Sequence, residues 1–268
     1  MESWRSAITN ADGERVYVRG HDLVELMRGG TYADVVGLLL GSRKPDAGER
    51  RLIDAMLIAI ADHGPGSPSA ATARLAASGN RQAPEAAVAA GILAIGDAHA
   101  GAGQACMGII AGALERAGRE TLSLPEVARL VVADARASGR RLPGLGHRMY
   151  REDPRTVALF ELAEQTGKAG QGVAFMRALE AAVAEAVKPL PVNVDGAIAA
   201  VLHDLGYPAI TAKLIFIVGR TAGLAAHVME EYARERPMRI HIPVVYDGPA
   251  PVGQDGPAPV GAAEGHES

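Results

Sequence analysis

Apolar residues along this chain recur every three to four positions and almost nowhere every second position. That spacing predicts helices rather than strands. It runs over residues 23–27, over 32–40 with Gly41 as its stop, and over 47–61, where Asp62-His63-Gly64-Pro65 ends it. Ser67 or Ser69 is suited to cap the next helix, which runs through Leu75. An alanine-rich helix is predicted over 85–95 and another over 104–117, separated by a break of glycine and histidine at 96–103. Ser123-Leu124-Pro125-Glu126 is a capping box opening a helix to Ser138. Further helices are predicted near 154–167 and 171–187, the latter closed by Pro189 and Pro191. Asn193-Val194-Asp195-Gly196 opens one that stops at Gly206-Tyr207-Pro208, and a long apolar helix follows over 209–233. Val16-Tyr17-Val18, turning at Gly20, reads as a short strand, so the expected class is all-α with one small hairpin. From Gly248 the pattern stops. Gly-Pro-Ala-Pro-Val-Gly occurs at 248–253 and again at 256–261, and 248–268 is predicted to be a disordered tail.

Composition sharpens this picture. The chain is 48% hydrophobic but only 4% aromatic, as expected of closely packed helices with alanine and glycine at their contacts. A net charge of −4, with both signs interspersed, gives no electrostatic case for nucleic acid. The single cysteine, Cys106, excludes an intramolecular disulfide, and its apolar neighbourhood reads as core. No charged-then-apolar leader opens the chain, and Lys213, Arg220 and His227 interrupt the apolar run 209–229, which argues against a membrane span. A cytoplasmic protein is the expectation.

The chemistry concentrates at loop–helix junctions. The segment Leu142-Pro143-Gly144-Leu145-Gly146-His147-Arg148-Met149-Tyr150-Arg151-Glu152-Asp153-Pro154-Arg155 joins two glycines, an imidazole and three arginines. Glycines let backbone approach a ligand, imidazole exchanges protons near neutral pH, and guanidinium forks match carboxylates and phosphates. By itself this is also compatible with a glycine turn entering a basic surface helix. His63 at a helix end, His99 in the glycine-rich break, and Asp195 at a helix start extend the set. Amides at that start are expected to keep Asp195 ionised. His203, His227 and His241 lie on or near helices and read as structural or peripheral; His21 and His266 carry no signal. No metal-ligand spacing, dinucleotide fingerprint or P-loop is present in the sequence.

These segments together resemble the citrate synthase superfamily. Tyr17-Val18-Arg19-Gly20-His21-Asp22-Leu23 with Val35 to Leu40 is similar to its amino-terminal signature, and Ala61-Asp62-His63-Gly64 to its Ala-Asp-His-Glu segment. Gly96 to Ala102 resembles its Gly-Pro-Leu-His-Gly-Gly-Ala loop, and Gly144-Leu145-Gly146-His147-Arg148 with Asp153-Pro154-Arg155 its Gly-Phe-Gly-His-Arg…Asp-Pro-Arg motif. Asn193-Val194-Asp195 and Gly219 to Gly223 complete the set in the family's order, over residues 16–247.

The resemblance implies a citrate synthase-like fold: a large helical domain (1–147 and 219–247), a smaller one (148–218), and an active site in the cleft between them. It implies that His99 stabilises a thioester enolate, that His147 polarises the keto carbonyl or takes the hydroxyl proton of citryl-CoA, and that Asp195 is the carbon acid–base. It also implies that His63, Arg155 and Arg220 hold the keto-acid or citrate carboxylates. Leu142, Gly144, Leu145, Gly146, Arg148 and Arg151 would contact coenzyme A, present as a thioester substrate with no metal or redox cofactor. A homodimer or higher homo-oligomer is implied, without nucleic acid or membrane partners. Short length and Asn-Val-Asp-Gly in place of the synthases' Asn-Val-Asp-Phe make the chain similar to the citryl-CoA lyase module at the carboxyl end of ATP-citrate lyase. Cleavage of citryl-CoA to acetyl-CoA and oxaloacetate is therefore expected. The alternatives are condensation by a compact citrate or 2-methylcitrate synthase, and a non-catalytic coenzyme A or tricarboxylate-binding protein.

Two departures stand out. Ala100 occupies a family glycine position, which would strain the loop if that backbone needs a positive φ. The family's late Arg-Pro pair is missing from Met238-Arg239-Ile240-His241-Ile242-Pro243, where Arg239 is the candidate substitute.

Overall fold

The computed structural model describes residues 3–97, 99–147 and 151–249. Its first elements form a small antiparallel sheet of β1 (Thr9–Ala11), β2 (Val16–Val18) and β3 (His21–Asp22), registered Thr9 to Val18 and Tyr17 to Asp22. The expected hairpin is thus a three-stranded sheet. β1 leaves no pattern in the sequence because Thr9-Asn10-Ala11 is exposed throughout and has no buried face to impose alternation.

Eleven helices follow among the described residues: α1 (Leu23–Gly29), α2 (Tyr32–Gly41), α3 (Ala47–Ile60), α4 (Pro68–Gly79), α5 (Pro84–Leu93), α6 (Ala102–Glu120), α7 (Leu124–Ala137), α8 (Pro154–Gln165), α9 (Gln171–Ala186), α10 (Val194–Asp204) and α11 (Ile210–Arg234). Their starts are written in side chains that accept orphan backbone amides. Asp22 caps α1, Ser67 rather than Ser69 caps α4, and Asn193 caps α10. Reciprocal capping boxes open α2 (Thr31 and Asp34), α3 (Asp46 and Glu49) and α7 (Ser123 and Glu126). The ends of α4 and α6 run a turn past their apolar periodicity. In α6 that turn is polar and is held by Arg116, which pairs with Glu120 and reaches Asp134 on α7.

α10 is the hub. Gly196 through Leu202 are buried, and the helix packs against α6, α8, α9 and α11. Small residues permit this close approach: a Cβ added to Gly172 would lie 2.7 Å from the carbonyl oxygen of Ala200. At its far end Asp204 accepts the amides of Gly170, Gly172 and Val173 at 2.8, 2.6 and 3.0 Å, capping α9 from a neighbouring helix. One apolar cluster runs from α2 and α3 through α6–α10 into α11, joining Leu52 to Phe175. A second cluster binds α4 and α5 to Leu224 and Val228 of α11.

Cys106 is fully buried with its Sγ 3.7 Å from Met176 Sδ, and burial, aided by the charge of Asp195, pushes its thiol up to about 12. It is core, as read from sequence. α11 is long and apolar enough by composition to cross a membrane, but here half of that apolar stretch is buried against α3, α4 and α5. Past α11, Arg81 donates to the carbonyls of Glu231, Tyr232 and Glu235, closing the helix, and the chain continues without helix or strand, mostly exposed, to 249. The remainder of the expected tail, 250–268, lies outside the described residues.

Candidate active site

Three turns and two helix starts meet at a cavity of about 230 Å³. Its lining includes His63, His99, His147, Arg155, Asp195 and Arg220, together with Ile60, Phe216 and Asn193. Six residues read from the sequence, spread from position 63 to 220, thus converge on one space.

The backbone explains how. The turn before His147 needs positive φ at Gly144 (+83°) and Gly146 (+86°), which glycine adopts without strain. It is zipped to the segment before α10: Leu145 bridges Val192, Gly146 N donates to Pro191 O at 2.7 Å, and Asn193 N donates to Gly144 O at 3.0 Å. The Asn193 side chain adds a bond to Gly146 O at 3.0 Å while its own oxygen accepts the amides of Asp195 and Gly196. One asparagine therefore ties the His147 turn to the Asp195 helix. Asp153 does the same from the other side. Fully buried, it caps α8, accepts Val194 N at 3.1 Å, and grips Arg155 through Nε and Nη2 at 3.0 and 2.8 Å. Burial works against this carboxylate, yet Arg155 and the amides hold its pKa below the usual range.

His99 sits in the break between α5 and α6, its Nε2 3.0 Å from the hydroxyl of fully buried Ser69. The same hydroxyl lies 3.4 Å from Arg220 Nη1, and Arg220 Nε donates to Ile60 O at 2.9 Å. Phe216 supports both groups: its ring meets His99 edge-on at 6.0 Å and lies 4.8 Å beneath the Arg220 guanidinium. The rings of His63 and His147 meet edge-on at 6.3 Å between centroids. Ala100 adopts φ +75°, the left-handed conformation that its replacement of glycine made a concern.

Electrostatics divides the labour. Burial, then the positive charges of Arg220 and His63, push the His99 pKa down; burial, then Arg155, Arg220 and His147, do so for His63. Both shifts favour the neutral imidazole. Asp195 departs from the sequence expectation. Its pKa is raised, because burial outweighs Arg155 and Arg220 and the nearby charge of Asp153 adds to the rise. A helix start alone does not keep a carboxylate ionised once water is removed. The arrangement supplies a carboxyl group able to hold or take a proton, neutral imidazoles to donate to developing charge, and two guanidinium groups for carboxylates.

A second cavity, of about 630 Å³, shares His147 with the first. Leu142, Leu145 and Gly146 line it, with Arg136, Arg140, Arg141 and Lys188 among its other walls. Those four cations, with Ser69 and Phe216, are not marked as site residues by their sequence context. Gly144 lies behind the wall against Cys106 and Gly196, and Arg151 is exposed in the turn before α8. Arg148 lies outside the described residues. Arg239 is not among the cavity residues; it pairs with Glu231 at 2.6 Å and Glu235 at 3.0 Å.

Comparison with known proteins gives relatives in both sequence and fold. The family model described as "Citrate synthase, C-terminal domain" matches residues 40–241. The chain is 31% identical over 221 residues to a citrate synthase of Synechocystis sp., covering 79% of this chain and 53% of that protein. It is 30% identical over 216 residues to a citrate/2-methylcitrate synthase of Bacillus subtilis, covering 79% and 55%. It therefore spans just over half the length of these relatives. Among solved structures, citryl-CoA lyase from Hydrogenobacter thermophilus superposes with a TM-score of 0.84 at 34% identity, covering 93% of this chain and 96% of that one. ATP citrate lyase of Methanosaeta concilii, in complex with (3S)-citryl-CoA, shares the fold at 21% identity and a TM-score of 0.77, with 93% and 42% covered.

Proposed function

We propose that this chain, which belongs to the citrate synthase family, is a citryl-CoA lyase that cleaves citryl-CoA to acetyl-CoA and oxaloacetate. The observation that carries the reading is the convergence of His99, His147 and Asp195 on one cavity walled by Arg155 and Arg220. Near-complete mutual coverage with a citryl-CoA lyase supports this direction over condensation.

The cleavage balances on these groups. His147 takes the proton of the citryl hydroxyl, and that electron pair becomes the carbonyl of oxaloacetate as the adjacent carbon–carbon bond breaks. The released pair forms the thioester enolate, whose oxygen accepts a hydrogen bond from neutral His99. Asp195 then gives its proton to the enolate carbon, leaving acetyl-CoA and a carboxylate. Its raised pKa suits a group that must arrive protonated. His63, Arg155 and Arg220 bind the carboxylates; Arg155 Nη1 and Arg220 Nη2 are not used in the bonds described above.

Coenzyme A would extend from His147 into the larger cavity, where Arg136, Arg140, Arg141 and Lys188 offer positive charge to its phosphates. Closure of a smaller domain, 148–218, over this cleft would exclude water from the enolate. A cytoplasmic homodimer fits the exposed apolar run Ile242, Val244, Val245 and Tyr246, which a second copy would cover. Arg239 lies in the segment leading to that run.

The test is a panel of acyl-CoA thioesters and 2-keto acids assayed beside citryl-CoA. Release of acetyl-CoA from citryl-CoA supports the lyase. Net condensation with free coenzyme A release, and no cleavage, would replace it with a synthase of the kind named in Bacillus subtilis.

A further inference from the structure

The geometry points to His227 as a positioning residue for His63, acting through Asp62; this rests on the reading of His63 as a substrate-binding imidazole. His227 stands on α11 and is 8% exposed, outside the cavity lining. Its Nε2 lies 2.9 Å from Asp62 Oδ1. The other carboxylate oxygen of Asp62 accepts the amide of Gly64 at 2.9 Å. The carboxylate thus clasps the chain on both sides of His63, one arm to the next residue and one to a different helix. One turn earlier on α11, Gly223 packs so closely on the Ala61 carbonyl that no side chain fits between them. α11 therefore holds the residue before Asp62 by contact and Asp62 by hydrogen bond.

The tautomer of His227 follows from its other face. Nδ1 lies 3.5 Å from Arg74 Nη1, and a guanidinium can only donate. Nδ1 therefore accepts, and Nε2 carries the proton that goes to Asp62. Arg74 is itself fixed, by Glu230 at 2.7 Å and by fully buried Glu231 at 3.0 Å, and Glu231 also takes Arg239 at 2.6 Å. The chain Arg239–Glu231–Arg74–His227–Asp62 runs from the carboxyl-terminal segment to the turn bearing His63. Its logic is that of an outer group orienting an imidazole that touches ligand. With Asp62 46% exposed, loss of His227 lets water take its place and the turn relax.

The experiment compares His227→Ala, His227→Gln and Asp62→Ala in the full chain. Glutamine can donate to Asp62 through its amide nitrogen and accept from Arg74 through its oxygen. Two readouts are used: KM and kcat for citryl-CoA, and the ¹³C–¹H signal of the His63 ring, assigned by its loss in His63→Gln. The expected result is a KM raised about tenfold or more in His227→Ala, with kcat within about threefold and the His63 signal displaced. His227→Gln should restore both, and Asp62→Ala should match His227→Ala. A His63 signal unmoved in His227→Ala, or glutamine behaving as alanine does, overturns the role. If His227→Ala fails to fold, Asp62→Ala, at a half-exposed site, decides in its place: a displaced His63 signal supports the role and an unmoved one overturns it. The ring signal needs no turnover, so inactivity toward citryl-CoA would count against the lyase and leave the test of His227 intact.

Discussion

Gly196, the third residue of α10, lies back to back with Gly144 of the turn leading to His147. A Cβ built on Gly144 would lie 2.8 Å from Gly196 Cα, and one built on Gly196 would collide with the Gly144 carbonyl. The two glycines bring Asp195 and His147 to the lining of the same cavity. They also give a physical reason for Asn-Val-Asp-Gly at this position.

Gly196→Ala should therefore push the turn and the helix apart. The expected cost is about 1–3 kcal/mol of stability, the scale of overpacking in a tight core, with a marked loss of activity. Gly118, on the exposed face of α6 with nothing within 4 Å of an added Cβ, is the control. Gly118→Ala should stabilise by about 0.5–1 kcal/mol. Denaturant unfolding of both variants checks this, and equal effects would contradict the packing argument.

Ala100 holds φ +75° beside His99. A left-handed alanine costs about 1–2 kcal/mol, and glycine there gives back part of that gain through unfolded-chain entropy. Ala100→Gly should raise stability by about 1 kcal/mol, or roughly 2–4 °C in Tm for a chain of this size. A lower Tm by calorimetry would show that the loop is not strained.

The raised pKa of Asp195 makes a prediction about stability against pH. A carboxyl group that binds its proton more tightly folded than unfolded weakens the fold as pH rises through its folded pKa. Asparagine resembles the protonated form. Asp195→Asn should be more stable than the parent at pH 7, and the difference should vanish at acid pH, where both states of Asp195 are protonated. Thermal melts across pH 4–8 test the sign; a variant less stable at pH 7 would mean that Asp195 is favourably ionised.

How much of this was legible in the sequence differs by element. The helices were legible because each presents apolar residues at helical spacing and most begin at a capping side chain, as at Thr31, Asp46, Ser123 and Asn193. The sheet was half legible, since β1 has no buried face. Five of the six cavity residues were legible because glycine, proline and caps surround them at turns and helix starts; Arg220, inside α11, was legible only through the resemblance of Gly219 to Gly223. Ser69, Phe216 and His227 were not, because on a helix a residue that serves a site has the same local context as one that serves the core. Asp62 and His227 are 165 residues apart, and no local pattern records their pairing. Nor could sequence fix the sign of the Asp195 shift, which depends on how much water the neighbours remove.

The central claim is that Asp195 and its facing imidazoles break a carbon–carbon bond, and turnover of citryl-CoA by the parent chain and by Asp195→Asn tests it most directly. The account predicts stoichiometric acetyl-CoA and oxaloacetate from the parent and a rate at least about 10²-fold lower from the variant, the usual scale for losing a positioned acid–base group. Citryl-CoA consumed at the same rate by both proteins, or by neither, would contradict it.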